Sequence, residues 1–182
     1  AVKAMFVQGE NPAMSDPDQH HARHALATLD HLVVQDIFFT ETAWFADVIL
    51  PASAQPEKPG TYTNSHRQVQ VALPVRQMPG AAPQVWELIT ALANRCDLNW
   101  SYADVGEVYT EMASFMPSLD HISWERLLRE DAVCYPVKDT EGPGEEIIFY
   151  AGFPTQSGRA KLVPTDLVPP DELPDAEFPL VL

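Results

Sequence analysis

Three short apolar runs, Ala4–Gln8, His31–Asp36 and residues 47–51, alternate with one stretch of helical periodicity and one short helical stretch. This alternation constrains the fold more than any other feature of the chain. The first run ends at the turn-forming Gly9-Glu10-Asn11-Pro12. Ser15 and Asp16 then supply N-cap side chains and Pro17 a first-turn proline, and Ala22, Ala25, Leu26 and Leu29 follow at helical spacing. The centre of the second run is continuously apolar, which suits a strand in a sheet covered on both faces. Residues 40–46 read as a short helix with a threonine cap, and Pro51 closes the third run. Strand, helix, strand, short helix, strand requires a parallel sheet with right-handed crossovers, so the fold class is α/β. Open sheets of this kind bind ligands beyond the carboxyl ends of their strands. The positions to weigh are therefore 9–12, 36–40 and Pro51 onward.

Beyond Ala52 the chain turns polar and turn-rich up to Gly80, with Lys58-Pro59-Gly60 and Pro79-Gly80 as breakers and a brief strand expected over 67–71. Residues 83–96 form an amphipathic helix with Val85, Leu88, Ile89, Leu92 and Ala93 on one face. Two further helices are expected over 105–116 and 123–129, giving a helical and loop-rich C-terminal half. Past Glu130 the sequence is rich in proline, with strands expected at 147–150 and 159–163 and a linker over 167–179. These features divide the chain into a βαβ portion (1–100), expected to bind a nucleotide, a helical and loop extension (101–150) and a final segment (151–182). Residues 178–182 read as a strand that stops mid-run and Ala1 lies close to the first strand, so both ends are expected to be cut from a longer chain.

A hydrophobic content of 46% with 20% charged residues is that of a globular protein. The net charge of -15 opposes binding to nucleic acid or anionic lipid. The acidic runs at 141–146 and 171–177 read as solvated surface. Cys96 and Cys134 make no disulfide framework, which points to a reducing compartment. The start has no signal-peptide pattern, and no apolar run approaches the roughly 18 residues of a membrane span. A cytoplasmic protein without a membrane association is expected.

Several residues could carry chemistry. Gly9, between strand and helix, lets backbone approach a ligand, and the helix start favours an anion; an ordinary tight turn would read the same. Asp36 ends the second strand, where a carboxylate can accept ribose hydroxyls or the paired N–H donors of a guanine edge. A capping or solvent-facing aspartate is the alternative. Residues 60–70 are dense in hydrogen-bonding side chains and carry one fixed cation, Arg67, suited to a pyrophosphate or a pterin, or to a polar surface hairpin. His20, His21 and His24 read as an exposed polar helix face, since no third metal ligand or catalytic glutamate accompanies them. No residue is assigned a catalytic or metal-ligating role.

Taken in order, Ala4-Met-Phe-Val-Gln-Gly-Glu-Asn-Pro-Ala13, Val33-Val-Gln-Asp-Ile-Phe-Phe-Thr-Glu-Thr-Ala43, Ala46-Asp-Val-Ile-Leu-Pro-Ala52, Glu57, Gly60-Thr-Tyr-Thr-Asn64 and Arg67-Gln-Val-Gln70 resemble the molybdopterin oxidoreductase family. Phe153-Pro-Thr-Gln-Ser-Gly-Arg-Ala-Lys161 is similar to the segment that precedes the family's C-terminal cofactor-binding barrel. Within the family the combination is most similar to the catalytic (alpha) subunits of formate dehydrogenases. Where many relatives carry an acidic residue and two arginines after Asn64, this chain reads His66, Arg67 and Gln68, as the cytoplasmic NAD-linked members do.

The resemblance implies a Rossmann-like parallel sheet from the family's central domain. It also implies a bis-molybdopterin guanine dinucleotide carrying molybdenum, with Gly9 and Asn11 approaching the nucleotide. Asp36 and Thr40 would hydrogen-bond the guanosine, and Gly60, Asn64 and Arg67 would lie toward the pterin or phosphates. Iron–sulfur clusters and the residues that ligate the metal would lie upstream, and the barrel beyond Leu182. A chain of this extent would then bind and orient the cofactor without catalysing formate oxidation or retaining the cofactor alone. Its partners would be the rest of the catalytic subunit and the iron–sulfur and flavin subunits that reduce NAD. Two other assignments compete: a segment of a nitrate reductase or of the large iron–sulfur subunit of respiratory complex I, and a non-catalytic acidic interaction domain.

Overall fold

The computed structural model describes residues 2–80, 82–169 and 173–180. The chain forms two compact units, Ala1–Glu146 and Ile147–Leu182.

The first unit opens with the expected parallel sheet. Strands β1 (Ala4–Gln8), β2 (His31–Asp36) and β3 (Val48–Pro51) lie in the order β1-β2-β3, all parallel. Ala4 pairs with His31, and Val33 with Val48. The central strand takes the burial its apolar run demands: Leu32 and Val34 are buried, and with Val7, Ala13, Leu26 and Ala43 they form one core. The edge strands are less covered, leaving Met5, Phe6, Val48 and Ile49 exposed.

The crossover differs from the sequence expectation. A single turn of helix, α1 (Pro12–Ser15), comes first, and α2 (Gln19–Ala27) follows as a separate helix. Asp16 precedes Pro17, whose ring disfavours helical backbone in the residue before it, and Asp16 is extended at ψ 142°. The cap therefore falls on Asp18, whose carboxylate accepts from His21 N at 3.1 Å. His20, His21 and His24 are exposed on α2. The short helix before β3 is a 3-10 turn, Ala43–Phe45, with Thr40 Oγ1 accepting from Ala43 N at 3.3 Å.

A second sheet is antiparallel: β4 (Gly60–Thr63), β5 (Gln68–Ala72) and β6 (Ala132–Cys134), in that order. Helices α3 (Val85–Arg95), α4 (Val105–Ser114) and α5 (Trp124–Glu130) lie between β5 and β6 in the chain. Val69 of β5 packs with Tyr109, Leu119, Ile122, Leu127, Val133 and Val137 in a second core. The Tyr109 hydroxyl donates to Ile122 O at 2.9 Å, and burial pushes its pKa up to about 12.

Arg126 is buried at this core. It donates to Glu130 Oε2 (3.1 Å) and to the carbonyls of His121 (3.2 Å), Asp139 (3.1 Å) and Gly142 (2.6 Å). Backbone N–H groups of Glu141 and Gly142 donate to the Asp139 carboxylate and hold it below its usual range. For Glu130, burial opposes the charge, but hydrogen bonds from Arg126 and Arg129 outweigh it and hold the carboxyl low. Groups depressed in the folded state stabilise it above their unfolded values and lose that contribution as pH falls through the folded ones. With ordinary values of 3.8 and 4.5 for the two carboxyls, the chain's melting temperature is expected to hold between pH 7 and about pH 5 and to fall below it. A melting temperature unchanged down to about pH 3 in circular dichroism would contradict this linkage.

In the second unit the strands expected at 147–150 and 159–163 do not form. Residues 148–150 make a turn in which Gly152 N donates to Phe149 O at 3.0 Å, and Phe149 stacks on Phe153 with ring centroids 5.1 Å apart. Apolar runs become strands only when a neighbouring strand takes their backbone groups, and these two pair with no strand among the described residues. The expected strand at 178–182 lies partly outside the described residues. Its first residue, Phe178, donates its N–H to the Asp175 carboxylate at 2.7 Å in a turn.

Candidate functional site

The carboxyl ends of β1, β2 and β3 are cross-linked by amides. Gln8 Nε2 donates to Gln35 Oε1 at 2.8 Å, and Gln35, fully buried, donates on to Pro51 O at 3.4 Å. Above them lies a cleft of about 440 Å³ lined by Gly9, Asp36, Ser53, Lys58, Gln55 and Val85, among others. It lies at the carboxyl ends of the strands, the side of an open parallel sheet on which ligands bind.

Gly9 turns out of β1 at φ +61° while its N–H donates to Gln35 O at 2.9 Å. Nothing lies within 4 Å of where a Cβ would stand, so glycine is required by the backbone, and the open space lets a ligand approach it closely. On the adjacent strand end, Asp36 Oδ1 accepts from Ile37 N (2.6 Å) and Phe38 N (3.2 Å). These bonds hold the turn and leave Oδ2 for a ligand.

The remaining expected site residues are placed elsewhere. Asn11 Oδ1 accepts from Thr42 N (3.1 Å) and Thr42 Oγ1 (2.8 Å), and Asn11 Nδ2 donates to Glu41 at 2.6 Å. That bond is the main reason the Glu41 carboxyl is held below its usual range. Asn11 thus ties the β1 loop to the β2 loop, and Thr40 caps the 3-10 turn. Gly60 opens β4, paired with Ala72. Asn64 builds the β4–β5 hairpin: its Oδ1 accepts from His66 N (2.9 Å) and Gln68 N (3.1 Å).

Arg67 departs most from its expected role. Its guanidinium donates to the carbonyls of Tyr135, Glu145 (2.9 Å) and Glu146 (2.8 Å). The cation read as facing a pterin or phosphate instead fastens the hairpin to the segment after β6.

Two residues of the cleft were not singled out from the sequence. Ser53 is 2% exposed, and its hydroxyl finds no hydrogen-bond partner among the described residues. Lys58 donates to Ser53 O at 3.1 Å. The stretch after Pro51 is a strand end, which signals Ser53 only by position.

The class defined by this sheet and cleft is matched by comparison with known proteins. Residues 1–95 match the family model for molybdopterin oxidoreductase, and the chain belongs to that family. It is 39% identical, over its whole length, to the alpha subunit of F420-dependent formate dehydrogenase 1 from Methanococcus maripaludis. It is equally similar to the F420-dependent formate dehydrogenase alpha subunit of Methanocaldococcus jannaschii. In each case it spans 27% of the relative. The structure resembles acetylene hydratase from Pelobacter acetylenicus, with a TM-score of 0.63 and 26% identity over 86% of this chain and 21% of that one. Membership implies a molybdopterin cofactor carrying molybdenum. The open space at Gly9, the available oxygen of Asp36 and the unpartnered Ser53 hydroxyl are consistent with a large, hydrogen-bonding ligand in the cleft. No helix among the described residues is long and apolar enough to cross a membrane.

Proposed function

We propose that this chain is the part of a formate dehydrogenase catalytic subunit that holds the guanine-nucleotide end of a bis-molybdopterin guanine dinucleotide. The observation that carries the reading is the cleft at the strand ends, where Gly9 and Asp36 face the same space. Asp36 Oδ2 accepts guanine N–H or ribose O–H donors, Gly9 admits the nucleotide against the backbone, and Asn11 and Thr40 hold the loops that carry these two. Gly60 and Asn64 lie toward the pterin. The bound molybdenum cofactor supplies the two-electron centre at which formate is oxidised to carbon dioxide. This chain binds and orients the cofactor and neither turns over formate nor keeps the cofactor by itself. Electrons leave through iron–sulfur clusters elsewhere in the parent and its partner subunits in the cytoplasm. NAD is the acceptor that the His66-Arg67-Gln68 resemblance favours, and F420, for which the two relatives are named, is the second reading.

The test is made in the complete subunit. Asp36→Ala and Asp36→Asn are expected to lower guanine and molybdenum content together, because a charge-assisted pair of bonds is worth about 2 kcal/mol, more than tenfold in binding. The asparagine variant retains an acceptor for Ile37 N and Phe38 N, which separates ligand loss from loop collapse. Wild-type guanine and molybdenum content in both variants would refute the assignment. Reduction of NAD and of F420 by the wild-type complex identifies the acceptor.

A further inference from the structure

We infer that the outer face of α4 is a docking surface for a basic amphipathic helix of a partner polypeptide. The apolar side of that helix covers Met112, Phe115 and Met116, and its lysines or arginines meet the carboxylates of Asp104, Glu107 and Glu111. None of these residues lines the cleft at the strand ends, so the surface is independent of cofactor binding.

A surface helix needs one apolar face, and α4 carries two. Gly106 and Tyr109 are buried, Ala113 packs against the second core, and a Cβ on Gly106 would stand 2.8 Å from the Trp124 ring. That face is filled. Val105, Val108 and Met112 form a second stripe at the spacing of helical neighbours. It runs on into Phe115 and Met116 because the last turn tightens: Phe115 N donates to Met112 O and Met116 N to Ala113 O, both at 3.1 Å. The two valines are half-buried, but Met112, Met116 and, at 78%, Phe115 are exposed. Contiguous methionine and phenylalanine make an adaptable apolar surface that gains by being covered.

Charge selects the occupant. Asp104, Glu107 and Glu111 each precede a member of that stripe by one residue, so a row of carboxylates runs along its edge. Each gives one oxygen to a local bond: Asp104 Oδ1 accepts from Gly106 N (2.8 Å), Glu107 Oε2 from Ala103 N (2.7 Å) and Glu111 Oε2 from the Tyr102 hydroxyl (2.5 Å). These bonds fix the carboxylates and leave the second oxygen of each for an outside donor. None of the three forms an ion pair among the described residues. Residues 97–125 contain six Asp or Glu and no Lys or Arg, so no neighbouring cation in sequence neutralises the row. A second copy of this chain, at a net charge of -15, would bring like charge to it. A basic amphipathic helix supplies both the charge-assisted donors and the apolar cover.

The experiment footprints the complete, cofactor-loaded catalytic subunit with hydroxyl radicals and reads Met112, Phe115 and Met116 by mass spectrometry. The probe is a helical peptide of about 18 residues made of leucine and lysine, with its leucines along one face; its counterpart carries glutamate for every lysine. The three side chains are expected to be labelled in the free subunit and protected by the lysine peptide alone. Phe115→Ala should weaken that peptide's binding on the order of tenfold. Glu107→Gln combined with Glu111→Gln should weaken it by a similar factor and flatten its dependence on salt. Glutamine keeps an acceptor for Ala103 N and the Tyr102 hydroxyl, so the helix is retained. No labelling in the free subunit would mean that the rest of its own chain covers this face, and overturns the proposal. Labelling that falls as subunit concentration rises would mark a second copy there and also overturns it. Equal binding of the two peptides, or wild-type affinity for the lysine peptide in either variant, does the same.

Discussion

Replacing Arg126 with alanine is expected to destabilise the first unit by about 3 kcal/mol, read as a lower urea midpoint with an unchanged slope. The guanidinium is 4% exposed and donates to one carboxylate and three backbone carbonyls. Truncation removes a charge-assisted bond from each of these part-buried carbonyls, at a cost of about 1 kcal/mol apiece. The carbonyls belong to His121, before α5, and to Asp139 and Gly142, beyond β6. One side chain therefore closes the loops on either side of the α5–β6 segment. Arg126→Lys keeps the charge but not the fork geometry, and should recover less than half of the loss. A cost below about 1 kcal/mol for the alanine variant would mean that water replaces the donors and that the guanidinium does not close these loops.

Arg126 and Arg67 also show why part of the architecture escaped the sequence. Both are cations in polar surroundings, and a charge pattern suggests solvent or a ligand. Their partners are carbonyl oxygens, which every residue has and no sequence advertises. Those of Arg67 lie 68 to 79 positions further along the chain. The parallel sheet was legible because continuous apolar runs separated by one helical period admit few other folds. Local rules that compete were harder to rank: Ser15 and Asp16 offered caps, but the backbone restriction before Pro17 prevailed and moved the cap to Asp18. Apolar runs such as Ile147-Ile148 looked like strands because periodicity cannot tell whether a neighbour exists. The antiparallel sheet was half visible, since β5 reads as a strand and three-residue β6 is too short to alternate.

The site was legible to a similar degree. Gly9 and Asp36 sit at strand ends, where topology alone points. Asn11 was drawn to the ligand by its motif, yet its oxygen is taken by Thr42. Ser53 was invisible because a single serine in a polar stretch has no pattern, and only its burial without a partner distinguishes it.

The bridge between Asn11 and Thr42 carries the second large effect. Thr42 is fully buried; its hydroxyl donates to Asn11 Oδ1 at 2.8 Å and accepts from Ala13 N at 3.1 Å. Thr42→Val preserves shape but removes both bonds, leaving a buried N–H without its acceptor, so a cost of about 2–3 kcal/mol is expected. Thr42→Ser keeps the hydroxyl and should cost less than about 1 kcal/mol. The functional consequence follows from position: Asn11 lies two residues past Gly9, and Thr42 follows Glu41, which Asn11 also holds. Loosening that bridge releases one wall of the cleft. Cofactor retention in the complete subunit should therefore fall in Thr42→Val by a factor that Thr42→Ser does not share, although neither side chain is assigned a ligand contact. Asn11→Ala combined with Thr42→Val should cost less than the sum of the two, because both remove the same bond. Strictly additive losses in that cycle would show the two residues acting independently, and the loop tie proposed here would then lose its basis.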